Sequence, residues 1–278
     1  MKKYSIVAAI LGLVIGVIGV VAYGYTHDNY STVTIDETKT INAKDINKIV
    51  LESSLASVHF SPTKSDDITV HLHGGTSKKD LVFSVNTSGD TAKIEIRKKN
   101  DHLFQFSPFG FMTNELQADV EVPQKMYSEL KGHSQAGSIT VEQISANHFD
   151  LDSSAGSIKA NDLKGDVTAH SSAGSMKLTN IEGKLDLTDS AGSIDVQLKA
   201  ISHDIYASSS AGSVRIVTEH QPESLQMNLQ TSAGHVDVNL SNVSYNTKDR
   251  DRVIASIGSG GPKLKLQSSA GSVSVNKK

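Results

Sequence analysis

The chain has 278 residues, a formal net charge of −3 and no cysteine. Without cysteine it can form neither disulfides nor thiolate metal sites, and it cannot carry a lipid on a cysteine. The near balance of 27 basic and 30 acidic residues argues against a nucleic-acid-binding protein, which normally has a basic patch. The 21 glycines suit a chain with many tight turns.

The first predicted element is an N-terminal membrane helix. Lys2 and Lys3 precede an apolar stretch from Ile6 to Tyr23 that contains no charged residue. A helix of this length crosses a hydrocarbon layer of about 30 Å. A cleaved signal peptide is the alternative, but its apolar core is normally about 7–15 residues long and ends at a small-residue cleavage site. The two lysines predict a cytoplasmic N-terminus, with the rest of the chain outside the cytoplasm.

This interpretation divides the chain into four parts. Residues 1–4 are a cytoplasmic stub, 5–25 a single-pass transmembrane anchor, 26–44 a linker, and 45–278 an extracytoplasmic β-repeat domain. Within that domain, residues 45–130 are irregular and residues 130–278 repeat regularly.

The repeat is a Ser-Ala-Gly-Ser turn or a close variant. Successive glycines are 19, 18, 18, 20, 22 and 37 residues apart. A fixed period of this size is typical of a solenoid or another repeat array. The glycines, which we expect to supply unusual backbone angles at tight bends, are Gly137, Gly156, Gly174, Gly192, Gly212, Gly234 and Gly271.

Apolar residues alternate on both sides of each turn. Around Gly192, for example, Leu185 and Leu187 precede the glycine, and Ile194 and Val196 follow it. A spacing of two indicates strands with one buried face, so each period contains two short strands. Stacking like residues above one another predicts an all-β, parallel β-solenoid with about 18–22 residues per rung, expected to be right-handed. An antiparallel β-sandwich or meander of hairpins is the alternative.

Three further segments are assigned from the same pattern. The template fits once upstream, with Ala56 in the glycine position. Residues 81–97 are predicted to form a hairpin around Asn86 to Asp90, within irregular rungs or an N-terminal cap. Residues 241–262 are predicted to be a looped insertion before the last rung.

The turns resemble those of a bacterial family. Tandem Ser-x-Gly-x-Ile/Val turns behind an N-terminal anchor, closed by Ile257-Gly258-Ser259-Gly260 and a last turn at Gly271, are similar to the "putative adhesin" β-strand-repeat family, which includes LiaG-like membrane-anchored proteins of envelope-stress systems. This chain departs from many members by having Ala-Gly-Ser where they have Gly-Asp. The resemblance implies a β-solenoid-like fold, a cell-envelope location and no catalytic residues.

Serines and aspartates were considered as catalytic groups. Serine recurs three residues before the glycine, and a residue repeated in every rung is expected to hydrogen-bond the backbone at the corner. The members of this column are Ser153, Ser171, Ser209 and Ser268, with Asp189 and Thr231 in two rungs. Asp150, Asp152, Asp186 and Asp189 come from adjacent rungs, and a polysaccharide-active enzyme would need such gathered carboxylates.

A histidine column was considered as a metal site. Stacking in register would align His133, Asp152 and His170 on one outward face. The two imidazoles would then lie about 9–10 Å apart, too far to share one ion. We therefore predict a charged, solvated column, and no metal or cofactor.

Four phenylalanines lie within eight residues of one another. Phe104, Phe106, Phe109 and Phe111 form either an exposed patch for a partner or a cap on the open end of the solenoid. The sequence favours a non-enzymatic envelope protein that presents its solenoid for adhesion or binding. Its partners would be the membrane, through residues 5–25, and an envelope protein or cell-wall glycan. The alternatives are the polysaccharide-active enzyme and a purely structural spacer.

Overall fold

The computed structural model describes residues 33–76, 81–98 and 116–278. These residues form 22 β-strands, and none of them is helical. No helix able to span a membrane occurs within them, and the predicted anchor at 5–25 lies outside this part of the chain. The described part of the chain is all-β, as predicted for the repeat domain.

The first group of strands builds the N-terminal end. Most alternate between buried and more exposed residues, as expected for strands with one face on a core. They are β1 (Val33–Asn42), β2 (Lys48–Ser53), β3 (Ser57–Thr63), β4 (Asp67–Thr76), β5 (Leu81–Ser88), β6 (Thr91–Lys98), β7 (Gln117–Pro123), β8 (Met126–Ser134) and β9 (Ile139–Glu142).

The regular repeats and the C-terminal end supply the remaining strands. They are β10 (Ser145–Ser153), β11 (Ile158–Ser171), β12 (Met176–Glu182), β13 (Leu185–Asp189), β14 (Ile194–Leu198), β15 (Ile205–Ala211), β16 (Val214–Thr218), β17 (Leu225–Ala233), β18 (Val236–Asn239), β19 (Ser244–Lys248), β20 (Arg252–Ile257), β21 (Lys263–Ala270) and β22 (Val273–Lys277).

Parallel pairing in register stacks these strands into nine rungs, each with one strand before the corner and one after it. Ile158 pairs with Met176, and Met176 pairs with Ile194, so like residues stack above like. The pre-corner strands form a first face and the post-corner strands a second face. The β-solenoid-like arrangement is therefore confirmed, and the sandwich or hairpin alternative is wrong for the repeats.

The rungs do not stack in sequence order at either end. The last rung, β21–β22, lies between β15–β16 and β17–β18. Similarly, β2–β3 lies between β6–β7 and β8–β9, so the copy around Ala56 joins the Gly137 rung directly. At the C-terminal end, β21–β22 fills a gap that the chain left when it built β17–β18. At the N-terminal end, β2–β3 is built first, and the later rungs β6–β7 and β8–β9 are added on either side of it.

Antiparallel strands cover both ends of the stack. At the N-terminal end, β5 pairs with β6 as the predicted hairpin, and β4 and β1 extend the second face beyond β7. At the C-terminal end, β20 pairs with β17, and β19 pairs with β20. The prediction of a loop at 241–262 is wrong, because this segment contains the β19–β20 hairpin that covers the edge of β17.

The core lies between the two faces. The apolar positions on both sides of each corner are buried, including Leu185, Leu187, Ile194 and Val196, all at most 1% exposed. Because equivalent positions of successive rungs are apolar, they form one continuous hydrophobic core along the stack.

The corner positions require glycine because the backbones of neighbouring rungs approach closely there, and not because the glycines adopt unusual backbone angles. Of the seven, only Gly271 has a positive φ, at 157°, which is close to extended backbone. A Cβ added to Gly174 would lie 2.2 Å from the carbonyl oxygen of Gly156 in the neighbouring rung. The prediction that these glycines supply unusual backbone angles is therefore wrong for six of the seven. Glycine is needed instead because the stacked corners leave no room for a side chain.

Candidate functional site: an imidazole–carboxylate face

The structure gathers three histidines on the second face near its N-terminal end. His59 lies on β3, His71 and His73 on β4, and Asp119 on β7. Each side chain is 31–41% exposed and alternates with buried neighbours on its strand. Together with Asp36 on β1 and Glu142 on β9, we call these residues the imidazole–carboxylate face.

Strand register explains why the groups meet. His71 on β4 and His59 on β3 are both directly opposite Asp119, which lies on the strand between them. His73 is two residues from His71, so both imidazoles project from the same side of β4. Their rings stack with centroids 4.7 Å apart.

Hydrogen bonds link the imidazoles to carboxylates. His73 Nε2 lies 2.8 Å from Asp119 Oδ2, and His71 Nε2 lies 2.8 Å from Asp36 Oδ1. Gln117 donates to Asp119 Oδ1 at 2.8 Å. On the other side of Asp119, His59 Nδ1 lies 3.6 Å from Oδ1, and His59 Nε2 lies 3.4 Å from Glu142 Oε2.

The electrostatics of Asp119 reflect this environment. Partial burial raises the pKa of its carboxyl, but the hydrogen bonds from Gln117 and His73 and the charges of His73 and His59 outweigh that effect. The pKa of Asp119 is therefore held below its usual value, and the group is a carboxylate at neutral pH.

The face borders an open depression of ≈ 570 Å³. Its lining is polar and includes Gln117, Glu121 and Thr38 beside His59, His71 and Asp119. One ligand atom each from His71, His73 and Asp119 lies within 4.8 Å of the others, so these three residues are the candidate ligands for a metal ion.

Sequence reasoning considered the wrong histidines. His133, Asp152 and His170 do form the predicted column across β8, β10 and β11. His133 Nδ1 lies 3.5 Å from Asp152 Oδ1, which is a single imidazole–carboxylate contact between partly exposed side chains. The missed signal was His71-Leu72-His73, in which an apolar residue between two histidines places both imidazoles outward on one strand.

The repeated serines act in the structure as corner donors. Ser153 donates to the carbonyl of Gly137 at 3.1 Å, and Ser209 donates to that of Gly192 at 2.8 Å. Thr231 makes the equivalent bond to Gly271 at 2.6 Å. Each hydroxyl is buried and joins a corner to the rung beside it, so the predicted structural role is confirmed.

Asp189 is the exception in this column. It is 1% exposed; its Oδ1 accepts a bond from the Ala191 N–H, while its Oδ2 has no partner. Burial raises the pKa of Asp189, although the Ala191 hydrogen bond and the charge of His170 partly oppose this. The group belongs to the core and not to an outer cluster of carboxylates.

The other carboxylates considered for catalysis do not gather. Asp150 lies two strands from Asp186, with Thr168 between them in register. Asp150 Oδ2 is 3.4 Å from the Lys131 ammonium. The four phenylalanines at 104–111 lie outside the described residues.

Comparison with known proteins identifies the family. The family profile described as Toastrack DUF4097 matches residues 46–170 and again residues 133–276. The chain belongs to the Toastrack DUF4097 family. The resemblance seen in the turns is thus confirmed at the family level, whereas the LiaG-like membrane-anchored character stays a prediction. No curated protein matches the chain.

Three bacterial proteins are among the solved structures to which the chain shows some similarity. A "putative cell adhesion protein" from Clostridium sporogenes is 10% identical, with a TM-score of 0.42, and the match covers 88% of this chain and 100% of that one. A "putative adhesin" from Bacteroides fragilis is 12% identical, with a TM-score of 0.40 and coverage of 87% and 97%. One from Parabacteroides distasonis is 11% identical, with a TM-score of 0.31 and coverage of 86% and 97%.

Proposed function

We propose that this Toastrack protein is anchored in the cell membrane through residues 5–25 and binds an envelope partner outside the cytoplasm without catalysing a reaction. The charge-free apolar stretch behind Lys2 and Lys3 supports the anchor and its orientation. The family and the all-β solenoid support a binding or adhesion role.

The polar residues that repeat have structural roles, which argues against an enzyme. The buried serines donate to corner carbonyls, and Asp150 is paired with Lys131 on an open sheet face. A nucleophile or general acid needs a neighbouring base or a tuned environment within a cleft. Neither the serine column nor Asp150, Asp152 and Asp186 has such an environment in the described structure.

A long insertion at one corner is the observation that carries the binding proposal. Ile96 pairs with Ser53, and Gln117 pairs with Ser57 in the neighbouring rung. In the β2–β3 rung, residues 54–56 connect the two paired positions across this corner, whereas the β6–β7 rung uses residues 97–116 for the same connection. Long insertions on a rigid scaffold are where binding residues concentrate.

The insertion contains the chain's densest group of aromatic residues. Phe104, Phe106, Phe109 and Phe111 all belong to it. It rejoins the scaffold at the buried Leu116, one residue before Gln117, which lines the depression at the imidazole–carboxylate face. Large apolar side chains beside polar groups are the usual composition of a protein-binding surface.

Replacing the four phenylalanines by serine tests this proposal. We expect the variant to lose its crosslinked partner in intact cells while its melting temperature stays unchanged. Replacing Tyr206 and Tyr245 by serine is the matched control, because both are exposed aromatics on the described solenoid, each 38% exposed. The control should keep the partner.

Two results would contradict the proposal. A large fall in melting temperature of the phenylalanine variant would assign the segment to a cap on the solenoid. Undiminished partner capture by that variant would place the binding surface elsewhere.

A further inference from the structure

We propose that the imidazole–carboxylate face binds one Zn²⁺ ion through His71, His73 and Asp119. One ligand atom from each residue already lies within 4.8 Å of the other two. Zinc bonds of about 2.0–2.2 Å to nitrogen and oxygen require ligand atoms roughly 3.3–3.5 Å apart in a tetrahedral site. Rotation of these partly exposed side chains would shorten the distances between ligand atoms to that range without moving the strands.

The strand arrangement removes the objection that applies to a flat histidine column. In the column of His133, Asp152 and His170, the two imidazoles come from strands separated by a third strand. At the proposed site both imidazoles come from β4, and the carboxylate comes from the adjacent strand β7. The three ligands therefore come from one strand and its immediate neighbour, and one ligand atom of each lies within 4.8 Å of the others.

Neighbouring groups already support the ligands. Gln117 holds Asp119 through Oδ1, which leaves Oδ2 directed at His73. Asp36 holds one ring nitrogen of His71 and leaves the other nitrogen free to bind a metal. Carboxylates that hydrogen-bond a histidine in this way orient metal ligands in many sites.

The donor types favour zinc. Two imidazoles and one carboxylate suit Zn²⁺, whereas Mg²⁺ and Ca²⁺ prefer oxygen ligands alone. Three protein ligands leave a fourth coordination position open. All three side chains are partly exposed, and His71 and Asp119 line the depression, so a further ligand can approach from that side. His59 on β3 is directly opposite Asp119 and offers an additional imidazole. Its buried Nε2 lies 3.4 Å from Glu142 Oε2 but makes no hydrogen bond in the described structure.

Isothermal titration calorimetry with Zn²⁺ tests the site directly. The full chain should be purified in detergent without a histidine tag, stripped with a chelator and titrated at pH 7.5. We expect one ion per chain. Affinity should fall at pH 5.5, because protons compete with the metal ion for the ligand atoms. Co²⁺ in place of Zn²⁺ should give the strong visible absorption of a four-coordinate site.

Variants assign the ligands. His71→Gln, His73→Gln and Asp119→Asn should each lose binding, and Asp36→Asn should weaken it about 10–100-fold as an outer partner. His133→Gln is the matched control, because it removes a histidine that also contacts an aspartate on the outer surface. Unchanged melting temperatures without zinc would show that the variants fold.

Three outcomes would overturn the proposal. They are the absence of saturable binding to the intact chain, undiminished binding after the His73→Gln or Asp119→Asn change, and an equal loss in the His133→Gln control.

Discussion

Replacing Gly174 by alanine should destabilise the protein through a backbone clash between rungs. The added Cβ would lie 2.2 Å from the Gly156 oxygen, 2.5 Å from its carbonyl carbon and 3.0 Å from the Ser157 nitrogen. All three are backbone atoms of the corner between β10 and β11, so the clash cannot be relieved by moving a flexible side chain. Restoring ordinary contact requires the corners to separate by roughly 1 Å or more.

The expected loss is about 1–3 kcal/mol. Overpacking a close-packed site costs about 1–3 kcal/mol, and the smaller entropy of the unfolded alanine chain returns only about 0.4–1 kcal/mol. Separation of the corners would also weaken the bond from the Ser171 hydroxyl to the Gly156 carbonyl of the neighbouring rung, now 3.4 Å. We therefore expect the upper part of the range, or a fall of about 4–12 °C in melting temperature at 2–4 °C per kcal/mol.

Thermal unfolding followed by far-ultraviolet circular dichroism measures the effect, with Ala173→Ser as the control at an exposed neighbour. Asparagine substitutions at Gly89 and Gly174 distinguish a steric clash from a requirement for left-handed backbone angles. Gly89 has a φ of 61° and open space around it, so Gly89→Asn should be tolerated, because asparagine adopts left-handed angles. Gly174→Asn should be as harmful as alanine. Wild-type stability of Gly174→Ala, or a rescue by asparagine, would refute the close-approach explanation.

Two further predictions concern the core aspartate and the topology. Asp189→Ser should stabilise the protein by about 1–3 kcal/mol at pH 7, because it removes a buried, unpartnered oxygen and restores a donor. Because the pKa of Asp189 is raised in the folded state, protonation of Asp189 stabilises the wild-type protein below the unfolded-state pKa of about 3.9. This stabilisation is lost as the pH rises through the folded-state pKa. The stability gained from serine should therefore shrink near pH 4. Ser209→Asp, one rung away in register, should do the reverse; equal stability of all three proteins in urea would contradict this account. Protease added to intact protoplasts should degrade residues 28–278, whereas full protection would refute the extracytoplasmic location.

The repeated rungs could be predicted from the sequence because their signal is local. Apolar residues two apart on both sides of each glycine define inward positions, and Leu185 and Ile194 lie where that pattern puts them. The same template located the upstream copy at Ala56, and turn residues around Gly89 located the β5–β6 hairpin.

The order of the rungs could not be predicted because every rung presents the same columns. Val214 stacks equally well on Val236 or Val273, and the sequence alone does not say that Val273 lies between them. The imidazole–carboxylate face was missed for a related reason. His71 and Asp119 are adjacent only because β4 reverses direction and pairs with β7, a long-range contact that no local pattern reports.

The most direct test of the proposed binding function is site-specific photocrosslinking in living cells. A photoreactive residue at Glu121 reports on the depression, and one at Lys177 reports on the regular rungs of the same face. Both positions are exposed. We predict a discrete crosslinked partner at position 121, lost when the four phenylalanines are changed to serine, and none at position 177. Equal crosslinking at both positions, or none at 121, would contradict a binding surface at this end of the solenoid.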